Sequence, residues 1–224
     1  MSGIRTYHPR RGRMSDRHHA ALDLLAPAYG VDPGVPFDAV AVYGRRAPLV
    51  LEIGSGMGEA TADMAAADPD RDYLATEIHT PGVANLLTLA AARALTNLRV
   101  VEVDALSFVR EHLGEACLDA IHVFFPDPWP KLRHRKRRLF QPAHVALLRS
   151  RLVPGGTLAC ATDWPAYAAQ MLATMSADPE LRNLYDGYAP DAGDRPPTKF
   201  ELRGHDAGRP IYDLVFERRN AHRR

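Results

Sequence analysis

Cysteine is scarce, with only Cys117 and Cys160 in 224 residues, far apart and without metal-type spacing. Both lie in apolar surroundings, so the expectation is two buried free thiols in a reducing, cytoplasmic setting. No run approaches the ~18 apolar residues that span a bilayer, and no signal-peptide pattern opens the chain. A membrane partner is therefore not expected. Ten histidines form no HExxH or paired pattern, so no metal is expected either. Lysine is nearly absent: of 28 cationic residues only Lys131, Lys136 and Lys199 are lysine. Arginine and lysine are not interchangeable where a compact point charge is needed, which draws attention to those two stretches. Acids are missing from Lys131 to Arg138, which holds six Lys or Arg, although the net charge is only +1. Charge concentrated in this way can steer a polyanion even when the total is near zero.

What is present is an alternation of short apolar runs and helical stretches from Pro48 onward. Strands are expected at 49–53, 72–76, 98–103, 119–125 and 157–161. Helices are expected at 59–67, 81–95, 105–113, 142–152 and 164–175, with Asp163 as N-cap of the last. Two more strands, 199–203 and 211–216, flank a Gly- and Pro-containing turn and read as a hairpin. This order predicts a Rossmann-like α/β fold, a mostly parallel, doubly wound sheet with a C-terminal antiparallel hairpin. Residues 1–35, with five Arg in the first seventeen, read as a basic, mobile N-terminal segment that includes a short helix near 20–25. Residues 36–219 form a single domain, and 220–224 a tail. In such sheets ligands bind at the carboxyl ends of the strands. The glycine loop, Glu77, Asp104, Asp127 and Asp163 all fall there.

Two motifs carry chemistry. Glu52-x-Gly54-x-Gly56-x-Gly58 follows a strand and opens a helix, so backbone can approach a ligand closely. Glu77 ends the next strand, where a carboxylate can bind a ribose diol. The spacing is GxGxG, and an acid lies inside the first strand. That combination resembles the first motif of class I S-adenosylmethionine-dependent methyltransferases, and the resemblance implies a cationic sulfonium, which suits extra carboxylates better than a pyrophosphate would: at ~4 Å and an effective dielectric of ~20, each offers about 4 kcal/mol before desolvation. Asp104 then suits an adenine amino group. The second motif, Phe124-Phe125-Pro126-Asp127-Pro128-Trp129, holds a carboxylate between prolines in a stiff loop. Trp129 either stacks on a base or belongs to the core. The basic block beside it reads as a phosphate contact.

These two motifs, with Lys131 and the following Arg-His-Arg-Lys-Arg-Arg, Ala161-Thr162-Asp163-Trp164, and Thr198-Lys199-Phe200-Glu201 with Arg203-Gly204-His205, resemble the bacterial tRNA (guanine-N7-)-methyltransferase family. The likeness runs from about residue 40 to 217 and implies a class I S-adenosylmethionine-dependent methyltransferase, monomeric or homodimeric, acting on N7 of a tRNA guanine, usually position 46 in the variable loop. It implies that Glu52, Gly54, Gly56, Gly58, Glu77, Asp104 and Asp127 hold S-adenosylmethionine, with Asp127 also catalytic. It implies that Lys131, Asp163, Thr198, Lys199, Phe200 and Glu201 hold substrate. Arg133, His134, Arg135, Lys136, Arg137 and Arg138 would touch RNA.

Three other readings compete. A nicotinamide-dependent oxidoreductase is disfavoured by the loop spacing and by the absence of a hydride-transfer constellation. A non-catalytic RNA-binding module would leave the glycine loop and the rim acids idle. An amino-group methyltransferase fits less well, because Trp129 follows Asp127-Pro128 directly and the basic block is adjacent.

Overall fold

The computed structural model describes residues 5–8, 12–190, 195–198, 201–202, 204 and 208–220. Seven strands form one sheet in the order β3-β2-β1-β4-β5-β7-β6. They are β1 (Leu49–Ile53), β2 (Asp72–Glu77), β3 (Leu98–Glu102), β4 (Leu118–Phe124), β5 (Leu152–Thr162), β6 (Leu181–Asn183) and β7 (Tyr212–Arg218). The first five pair in parallel, and β7 runs antiparallel between β5 and β6. β1 is fully buried along its length, as a parallel strand covered on both faces must be. Alternate residues feed two cores. Leu49, Leu51 and Ile53 pack with helices α5 (Ala105–Glu111), α6 (Pro142–Arg151) and α7 (Pro165–Ser176). Val50 packs on the other face with α3 (Glu59–Ala67) and α4 (Thr80–Ala92).

The β-α units follow the expected pattern to within about three residues, because strong periodicity is the signal least disturbed by tertiary context. β5 is the exception. It starts at Leu152 and carries a register shift opposite Leu118–Ala120, so Gly155-Gly156 interrupts a strand instead of starting one.

The antiparallel end of the sheet forms as expected, but from a different strand. The outer partner of β7 is β6, and of the strand expected over 199–203 the described residues Glu201 and Leu202 are helical instead. Thr198 and Glu201 explain why. The Thr198 hydroxyl accepts from the Glu201 N–H at 3.1 Å, and the Glu201 carboxylate accepts from the Thr198 N–H at 3.3 Å. This reciprocal capping box starts a helical turn and outweighs the local β pattern.

In the N-terminal segment the helix is longer than 20–25. α1 (Asp16–Tyr29) is capped by Ser15 and packs on α4. Behind it the Val31 N–H donates to the Val100 carbonyl at 2.9 Å, which covers part of the edge of β3. A short helix α2 (Ala39–Tyr43), capped by Asp38, leads into β1.

Candidate active site

The sheet reverses its winding between β1 and β4, and a cavity of about 490 Å³ opens at the carboxyl ends of those strands. Glu52, Gly54, Gly56, Glu77, Asp104 and Asp127 all line it. The glycine loop leaves β1 with φ +78° at Gly54 and +60° at Gly56. A Cβ at either position would meet nothing within 4 Å, so bare backbone faces the open cavity. Gly58 does a different job from the ligand contact expected of it. It is the N-cap of α3, does not line the cavity, and a Cβ there would strike Leu86 of α4.

Each acid is held by a distinct set of contacts. Glu77 accepts from the N–H groups of Gly56, Ile78 and His79 at 2.7, 2.7 and 2.8 Å. The carboxylate at the end of β2 therefore fixes the glycine loop and also faces the cavity. Asp104 caps α5, accepting from the Ser107 N–H at 2.9 Å. Glu52 is 4% exposed, and its Oε2 has no hydrogen-bond partner among the described residues. Burial pushes its pKa up to about 7; the Thr61 hydroxyl pulls it down, Glu77 raises it, and Arg195 lowers it. A buried carboxylate oxygen without a donor among the described residues, beside a bare glycine cradle, matches a ligand that carries positive charge and can lie close against backbone. S-adenosylmethionine meets that description, and the residues present fit it.

Asp127 sits in the loop after β4. That loop is not the simply extended one expected from its prolines. Phe125 and Trp129, each preceding a proline, adopt φ +53° and +41°. Asp127 Oδ2 accepts from the His8 backbone N–H at 2.6 Å. Trp129 is 3% exposed, donates through Nε1 to the Thr6 carbonyl at 3.0 Å, and stacks against the His8 ring.

The basic block forms a 3-10 helix over Leu132–Arg137. Arg133, Arg135 and Lys136 are exposed, His134 and Arg137 are half-buried, and Lys131 is an exposed cap residue outside the cavity lining. Arg138 must be removed from the expected RNA contacts. It is 1% exposed, donates to the Pro128 and Ala166 carbonyls and to Gln170, and lies over the Tyr167 ring. It ties the Asp127 loop to α7, as only a forked donor can.

Of the expected substrate residues, Thr198 lines the cavity. Lys199 and Phe200 lie outside the described residues. Glu201 is buried and pairs with Arg195 at 2.5 Å. Asp163 does not cap α7: Trp164 holds that position, and Asp163 pairs with Arg209 at 2.8 Å.

Several contributors were not singled out from sequence. Arg195 pairs with both Glu201 and Asp213 and lies over the rings of Phe124 and Phe125, so it joins the Thr198 turn to the Asp127 loop. Nothing in its local sequence announces a contact that spans three separate elements. Gly82 lets the first turn of α4 abut the Gly56 carbonyl, and Asn85 donates to the Met57 carbonyl at 2.6 Å. A Gly and an Asn inside an otherwise apolar helix were the available signal.

The strand order and the glycine-cradled, acid-lined cavity at the switch point define a class I methyltransferase fold. Its likeness to a 16S rRNA (adenine(1408)-N(1))-methyltransferase from Catenulisporales acidiphilia, solved with its cosubstrate SAM, has a TM-score of 0.57 at 16% identity, covering 87% of this chain and 94% of that one. Residues 46–214 match a family described as "Putative methyltransferase". A tRNA (guanine-N(7)-)-methyltransferase of Aromatoleum aromaticum is 51% identical over 96% of this chain and 84% of its own length. One of Paraburkholderia xenovorans is 50% identical over 97% and 84%. The chain belongs to the tRNA (guanine-N(7)-)-methyltransferase family.

Proposed function

We propose that the protein transfers a methyl group from S-adenosylmethionine to N7 of a guanine in tRNA, at position 46 of the variable loop. The observation that carries this reading is Asp127. It lies on the wall of the acid-lined cavity and, four residues further on, its loop reaches Lys131, which caps the 3-10 helix that carries the exposed Arg133, Arg135 and Lys136. The electrophile and the polyanion would therefore meet at one carboxylate. Residues 36–219 would form the catalytic domain. The enzyme would work in the cytoplasm as a monomer or homodimer; among the described residues no helix is long and apolar enough to cross a membrane.

When bound, S-adenosylmethionine supplies an electrophilic methyl on a sulfonium. Glu52 and the Gly54–Gly56 backbone would hold its methionyl end, Glu77 the ribose hydroxyls, and Asp104 the adenine amino group. Guanine N7 carries a lone pair and no proton, so the chain needs no general base at that atom. Its task is positioning, worth up to ~7–11 kcal/mol. Asp127 would accept the N1 and N2 hydrogens of guanine and stabilise the positive charge that the base acquires. Thr198, held by Glu201 and Arg195, would bound the acceptor side. Arg133, Arg135 and Lys136 would grip phosphates, with Lys131 nearest the loop.

Incubation of unmodified tRNA with labelled cofactor, followed by nucleoside mapping, tests the reaction; label in any product other than 7-methylguanosine refutes it. In Asp127→Asn we expect turnover to fall by about 100-fold, with cofactor affinity by calorimetry nearly unchanged. Near-normal turnover would remove Asp127 from its assigned role.

A further inference from the structure

The contacts that Asp127 and Trp129 make with the N-terminal segment have no explanation in catalysis. His8 stacks its imidazole on the Trp129 indole, with ring centroids 3.6 Å apart and 17° between planes. Its backbone N–H donates to Asp127 Oδ2 at 2.6 Å, and its Nδ1 lies 3.2 Å from the same oxygen. Thr6 anchors this arrangement through the Trp129 Nε1 bond. Thr6, Tyr7 and His8 all form part of the cavity wall.

A flat imidazole lies on the indole, and one ring nitrogen together with the adjoining main-chain N–H meets one carboxylate; a purine would present a comparable face and a comparable pair of nitrogens here. Guanine offers a stacking face and, on one edge, the N1 and N2 hydrogens that a carboxylate accepts. We infer that the Trp129 face and the Asp127 carboxylate form the subsite for the acceptor guanine, and that His8 is its resident stand-in, a strap that the incoming base displaces. The inference deepens the proposed function and rests on it.

The consequence is competition. A site closed by its own chain binds ligand more weakly by the fraction of molecules in which it stands open. Shortening His8 to Ala uncovers the indole face and withdraws the ring nitrogen from Asp127, while the main-chain N–H of residue 8 stays in place and the strap is held less firmly. The Asp127 loop itself stays anchored, because Arg138 holds the Pro128 carbonyl at 2.7 Å independently of the strap.

The test uses the full chain in a Trp164→Phe background, which leaves Trp129 as the one indole fluorophore. Guanosine monophosphate is the probe, and quenching of Trp129 is the signal. In His8→Ala we expect the nucleotide to bind at least about threefold tighter and kcat/KM for unmodified tRNA to rise by a similar factor, with S-adenosylmethionine affinity unchanged. His8→Phe keeps the stack and is expected to bind the nucleotide no more tightly than the parent. A fall in kcat/KM for His8→Ala, an unchanged nucleotide affinity, or tighter binding by His8→Phe would each overturn the strap and make His8 a fixed wall. Absence of 7-methylguanosine from tRNA treated with the unaltered protein would instead refute the proposed function itself.

Discussion

Glu52 shows how one side chain links ligand binding to pH. Its carboxyl has a folded pKa near 7 against an ordinary value of 4.5, chiefly because burial disfavours the charge. The folded protein therefore keeps a proton that the unfolded chain releases. Stability is fully present below about pH 4.5 and is lost as pH rises through about 7, a cost on the order of 3 kcal/mol for the unliganded protein. Glu52→Gln should remove that slope. Urea denaturation of the unliganded variant across this window checks it, and an unchanged slope would assign the pH dependence elsewhere. Cofactor affinity should rise over the same range, because a cationic ligand selects the ionised carboxylate. The acids of the site were legible in the sequence because strand ends and acidic residues coincide. Arg138 was not: within a run of six cations nothing local distinguishes the one that turns inward to three acceptors.

Among the elements, α4 and the glycine loop act as one unit. Gly82 sits where a Cβ would press into the Gly56 carbonyl and approach the Glu77 side chain. Gly82→Ala must shift the helix or the loop, and we expect cofactor affinity to fall by about tenfold or more, since a 1 Å displacement can cost that much in a positioned site. Gly114, where a Cβ meets nothing within 4 Å, provides the control: Gly114→Ala should bind cofactor like the parent. Calorimetry on the two variants decides the matter, and equal affinities would show that the helix-loop contact is not limiting. The β-α units were readable because each is long and periodic. β6 was not, since three residues carry too little pattern. The turn at Thr198 was misread as strand because the T-x-x-E capping signal competed with a β-rich composition and prevailed.

For the whole molecule, the division of charge decides behaviour. The cavity is acidic and the adjoining 3-10 helix basic, so a near-neutral chain has two opposed faces around one loop. tRNA affinity should drop steeply with salt as phosphate contacts release counterions. Replacing Arg133, Arg135 and Lys136 together with Gln should flatten the log–log slope by about two to three units. Filter binding over a salt series measures this; an unchanged slope would move the RNA surface elsewhere. Arg138→Gln, by contrast, should reduce thermal stability and leave the slope nearly intact. The mostly parallel, doubly wound sheet with an antiparallel end could be inferred from the chain, but the fold-back of Thr6 onto Trp129 could not, because a contact across 123 residues has no local sequence signature.

Strand β7 has a bearing on how the protein is made. Among the described strands it comes last in chain order, yet it inserts between two earlier ones and carries Asp213, the second partner of Arg195. The residues assigned to the cofactor, from Glu52 to Asp104, are synthesised long before it. A nascent chain arrested before residue 212 would thus hold most of its donor half but lack the brace that secures the Thr198 turn. Copies that stop short of β7 are expected to be silent toward RNA, so modification would begin only after β7 has been made and inserted.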